Sequence, residues 1–149
     1  MTMRSSGKSH EIARRLFDVA GQFLESAGKL TELGEQCPSR YSLCFYAADR
    51  TLLACLCGQG VHLTDDEYER RQTAELWERC IELNPRLAEL EPEFRLLLDC
   101  EWAGLPGEKT PDLRQALDGA ARLRSLVAEL TPCLSPPAPE PERGMEMTI

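Results

Sequence analysis

Little in this sequence equips it for membranes or for proton chemistry. No apolar run approaches the roughly 20 residues that a helix needs to cross a bilayer, and the N-terminus, MTMRSSGKSH, lacks the apolar core of a secretory signal. Histidine, the side chain best suited to move protons near neutral pH, occurs only as His10 and His62. His10 stands beside the first helix start and His62 in a loop, neither with an identifiable partner, so both read as surface residues and no catalytic residue is assigned. Clustered basic residues are also missing. The net charge is −8 and the pI about 4.8, and the pairs Arg14-Arg15 and Arg70-Arg71 are diluted by nearby acids. Non-specific affinity for phosphate comes from clustered Lys and Arg, so direct nucleic-acid binding is not expected. Gly58-Gln59-Gly60 is too short and too far from any strand for a phosphate loop, and its glycines supply left-handed turn conformations. There is no internal repeat and no period-two alternation, which excludes a sheet and leaves an all-α bundle.

Cysteine is present but not patterned. The seven cysteines stand at 37, 44, 55, 57, 80, 100 and 133, an odd number without regular spacing, so they form no disulfide framework. Cys55-x-Cys57 lacks the two-residue gap of zinc and redox motifs, and no second ligand pair accompanies it, so neither metal nor cofactor is expected. Cys44, Cys55 and Cys80 fall among apolar helical positions and are expected to be buried and reduced. A reducing cytoplasm fits this cysteine usage.

At 149 residues the chain has room for one ordinary domain. Residues 1–8 are expected to form a flexible N-terminus, 9–131 the helical bundle and 132–149 a disordered tail. Ile12, Leu16, Val19, Ala20, Phe23, Ala27 and Leu30 recur at steps of three and four, which predicts an amphipathic helix from Ser9 to about Leu33. Gly34 and Pro38 break it, and a central helix runs from about Ser39 to the stop at Gly58 and Gly60.

Thr64-Asp65-Asp66-Glu67 is a capping box that starts a third helix, with Tyr68, Leu76, Trp77, Cys80 and Ile81 as its apolar side, ending at Asn84-Pro85. A short turn to Leu90 leads to a fourth helix beginning near Pro92, with Phe94, Leu97, Leu98 and Trp102 as its buried stripe. After the Gly104–Gly107 loop, Thr110-Pro111 reads as the cap and first residue of a fifth helix that buries Leu113, Leu117, Ala120, Leu123, Val127 and Leu130. Beyond Thr131 the prolines of PCLSPPAPEPERGMEMTI forbid helix and ladder alike. The expected fold is an up-and-down bundle of about five helices.

The central helix is the exception to this blandness. Tyr41 to Cys57, YSLCFYAADRTLLACLC, is apolar almost all round, so other helices must surround it, yet an adjacent acid and base, Asp49 and Arg50, sit at its middle. Polar groups in such a helix cost free energy unless paired. The two must lie on a narrow exposed strip, answer each other or a neighbour, or face a functional seam.

The order of the elements, with Tyr46-Ala47-Ala48 followed by Leu52-Leu53-Ala54 on the central helix and a glycine at its end, resembles the HEPN family of helical bundles over roughly residues 9 to 131. Members with ribonuclease activity carry an Arg and, after four to six intervening residues, a His near a dimer seam. Arg95 matches the Arg, but Cys100, Glu101 and Trp102 occupy the positions where the His would fall. The resemblance therefore implies a non-catalytic interaction module, a homodimer or one bound to a protein partner. It would be a component or regulator of a toxin, defence or nucleotidyltransferase-linked system, with Asp49, Arg50 and Arg95 at a polar seam. The alternatives are a HEPN-like ribonuclease with a degenerate site, and a bundle that binds a small ligand oriented by Asp49 and Arg50.

Overall fold

A computed structural model describes residues 6–33, 38–108 and 110–135, and among them there is helix but no strand. The α-helices are α1 (Ser6–Glu32), α2 (Ser39–Gly58), α3 (Asp65–Arg70), α4 (Thr73–Leu83), α5 (Glu91–Asp99) and α6 (Leu113–Leu130). Short 3-10 turns cover Pro85–Leu90, Cys100–Trp102 and Pro132–Leu134. The architecture is an all-α bundle, and none of these helices is long and apolar enough to cross a membrane.

The bundle is organised around α2. Phe45, Leu52, Leu53, Leu56 and the cysteines Cys44, Cys55 and Cys57 are all buried on it, on more than one face, because α1, α4, α5 and α6 all pack against it. Helix α1 approaches through Ala13, Ala20 and Ala27, spaced by seven and fully buried, with Ala47, Ala48 and Ala54 buried on α2. Small side chains at such spacing let two helix backbones come close. Trp77 of α4 stacks on Phe94 of α5 with ring centroids 4.4 Å apart, and donates its indole N–H to Glu91 at 2.9 Å.

The structure alters the expected boundaries. There are six α-helices among the described residues rather than five, since the expected third helix divides into α3 and α4. The capping box of α3 is formed in both directions, Thr64 N to Glu67 Oε1 at 2.9 Å and Glu67 N to Thr64 Oγ1 at 3.1 Å. Helix α3 nevertheless buries none of its own residues, and Tyr68, expected on the apolar side, is exposed. Helix α6 is capped by Asp112 rather than Thr110, with Asp112 Oδ1 accepting from Gln115 N at 2.9 Å.

The folded body also extends beyond both expected ends. Ser6–Ser9 are helical and Ser9 is buried, while Thr131 and Leu134 are buried and Arg14 Nε donates to the Cys133 carbonyl at 3.0 Å. Residues 1–5 and 136–149, the rest of the expected flexible ends, lie outside the described residues, as does Cys37.

Candidate functional site

Asp49 is 3 % exposed, on the one helix that the rest of the bundle surrounds. A bare carboxylate there would be costly, and the chain surrounds it with donors. Thr73 Oγ1 donates to Oδ1 at 2.9 Å, and Arg71 donates Nη2 to Oδ2 at 2.8 Å and Nε to both oxygens at 3.2 Å. Arg50 Nη1 donates to Oδ2. Arg71 and Thr73 reach Asp49 because the chain straightens between α3 and α4, Arg71 and Gln72 taking extended backbone with ψ of 146° and 132°. That break in the expected third helix is therefore what completes the site.

Every nitrogen of Arg71 is committed. Nε and Nη2 serve Asp49, Nη1 donates to the Tyr68 carbonyl at 2.8 Å, and the guanidinium lies 4.2 Å from the Tyr68 ring centroid. Burial works against the charged form of Arg71, but the hydrogen bonds and charge of Asp49 outweigh it and the net shift is upward. Arg50 is less committed. Its guanidinium lies 5.9 Å from the Phe23 ring centroid, and beyond the bond to Asp49 its Nε and Nη2 have no hydrogen-bond partner among the described residues. No side-chain nitrogen or oxygen there is buried without a partner, so this open edge meets solvent.

These residues form the floor of a cleft of about 510 Å³, walled by Phe45, Tyr46, Gln72, Ala74, Leu98, Glu101 and Trp102. Trp102 is 55 % and Tyr46 45 % exposed at its rim. Trp102 was expected on the buried stripe of the fourth helix, but α5 stops at Asp99 and the tighter Cys100–Trp102 turn rotates the indole out. The Glu101 carboxyl sits above its usual range, first because of partial burial and then because of the charge on Asp49.

Of the expected seam residues the structure joins Asp49 and Arg50 and leaves Arg95 elsewhere. Arg95 lies on α5 outside the cleft lining, its side chain 75 % exposed and paired with Glu91 at 3.2 Å. A single polar seam of Asp49, Arg50 and Arg95 is thus not formed within the chain. Sequence reasoning missed Arg71, Thr73, Glu101 and the outward Trp102. Only Arg71 gave a signal, as half of a basic pair.

Two other features are legible. An apolar cleft of about 320 Å³ lies between α1, α2 and the loop after α2, lined by Ile12, Leu16, Leu53, Leu56, Val61 and Leu63, with His62 Nε2 beside it hydrogen-bonded to Ser9 Oγ at 3.1 Å. Gln59, Asn84 and Thr131, the residues that end α2, α4 and α6, converge on Cys55, whose sulfur accepts from Gln59 at 3.4 Å and Asn84 at 3.6 Å. Hydrogen bonding, led by that from Cys80, draws the Cys55 thiol below its usual pKa, while burial pushes those of Cys44 and Cys100 up to about 12. Cys44, Cys55 and Cys80 are all fully buried and free. No group of three or more His, Cys, Asp or Glu that could hold a metal ion occurs among the described residues. Comparisons with protein-family models, curated proteins and solved structures return no match for this chain.

Proposed function

We propose that this protein is a non-catalytic helical recognition module, HEPN-like in its elements, whose working face is the cleft over Asp49. The observation that carries this reading is the composition of the face. An exposed tryptophan and tyrosine stand beside an arginine whose Nε and Nη2 donors are open, the residue types that dominate binding energy at protein contacts. Asp49, already receiving donors from Arg50, Arg71 and Thr73, serves as the anchor that orients the guanidiniums, a binding role rather than a proton-transfer role.

A regulator or component of a toxin, defence or nucleotidyltransferase-linked system would use such a face to hold its partner or a second copy of itself. Free, buried thiols suit a reducing compartment such as the cytoplasm. The test is sedimentation of the full chain over a range of concentrations. The expected result is concentration-dependent association that Trp102→Ala weakens without changing the thermal melt. A wild-type chain that stays monomeric throughout, or an association that Trp102→Ala leaves intact, overturns the reading.

A further inference from the structure

Arg50 and Glu101 are the charged groups of the cleft with bonding capacity to spare. The Nε and Nη2 edge of Arg50 is the two-pronged side that matches a carboxylate, and nothing among the described residues occupies it. Glu101 makes no salt bridge among the described residues. Both groups line one cleft without bonding each other. With Glu101 the cleft holds two carboxylates and two guanidiniums and is balanced, on a chain whose total is −8. Two such acidic chains repel at large, so a shared seam has to bring opposite charges face to face.

An open cation fork and an unpaired carboxylate in one cleft can complement a second copy of that cleft under a two-fold rotation. We infer that a second copy of this chain docks on the cleft about a two-fold axis, so that Arg50 of each protomer receives Glu101 of the other and each Trp102 is covered. This rests on the proposed function and supplies its partner and its bonded pair. The site is half-built in one chain: the fork is present, and the carboxylate that fills it comes from the other copy.

The test uses two charge reversals, Arg50→Glu and Glu101→Arg. Each variant alone sets like charges opposite one another twice in the dimer and should weaken association by at least about a hundredfold. Mixed in equal amounts they rebuild both pairs, acid against base, and the heterodimer should return to within about tenfold of wild type. Melting curves of the separate variants check folding. If Arg50→Glu does not fold, Arg50→Gln mixed with Glu101→Arg restores one of the two pairs and should associate more tightly than either variant alone.

A wild-type dimer whose mixed variants remain monomeric overturns the inference and leaves association through another face standing. A monomeric wild type overturns both readings. A wild-type monomer whose melt is raised by an aromatic carboxylate, with the rise lost in Arg50→Gln, reassigns the fork to a small ligand and likewise overturns the second copy as occupant.

Discussion

Asp49 shows how one buried carboxylate can organise a surface. Removing it leaves two guanidiniums and a hydroxyl without their shared acceptor, and breaking a buried ion pair by deleting one partner costs roughly 3–5 kcal/mol. The side chains of Arg50 and Arg71 are still 25 % and 18 % exposed, so they recover part of that from water. Asp49→Ala is therefore expected to destabilise the chain by about 3 kcal/mol in urea unfolding, and a loss below about 1 kcal/mol would mean the cluster orders nothing. Asp49 and Arg50 were legible in the sequence because charge inside an apolar helix demands an explanation. Arg71 and Thr73 were not, since they stand 22 and 24 residues away and only the tertiary fold sets that spacing.

At the scale of elements, the sequence signals placed the helical segments but merged α3 and α4 into one and judged the ends poorly. Between Tyr68 and Leu76 no Leu, Ile, Val, Phe or Met maintains the stripe, a gap in the sequence that marks where α3 gives way to α4. Trp102 was misplaced because the tightening of a helix into a 3-10 turn leaves no mark on the apolar pattern.

Glycine at 58 was read as a stop, and the structure adds a packing reason. A Cβ there would lie 2.5 Å from Thr131 Cγ2, 3.1 Å from Cys133 Sγ and 3.4 Å from Ala13 Cβ. Thr131 is fully buried and cannot swing aside. Gly58→Ala gains up to about 1 kcal/mol of helix propensity but forces apart the end of α2 and the turn that follows α6, and overpacking of this kind costs typically ~1–3 kcal/mol. The net expectation is a lowered melting temperature. Gly28→Ala, in open space on α1, should raise it or leave it unchanged, and equal effects at the two positions would refute the close-approach argument.

At the scale of the whole molecule, the proposed dimer would couple its association to pH through Glu101. In the single chain the Glu101 carboxyl is held above its usual range, by partial burial first and by the charge of Asp49 second. The charged and titratable groups sharing its cleft are Asp49, Arg50 and Arg71 on the floor and Tyr46 on the rim. In the proposed dimer the other copy's guanidinium favours the ionised form and draws that pKa down. Between the lowered and raised values the separate chains bind more protons than the dimer, so association releases protons and strengthens as pH rises through the titration of Glu101. Sedimentation from about pH 3 to pH 8 brackets the ordinary glutamate range, and the dimer is expected to tighten over its lower half and then level off. Glu101→Gln, with nothing to titrate, should give a weaker dimer with a flatter profile, so a Glu101→Gln dimer as steeply dependent on pH as the wild type would assign the proton to another group.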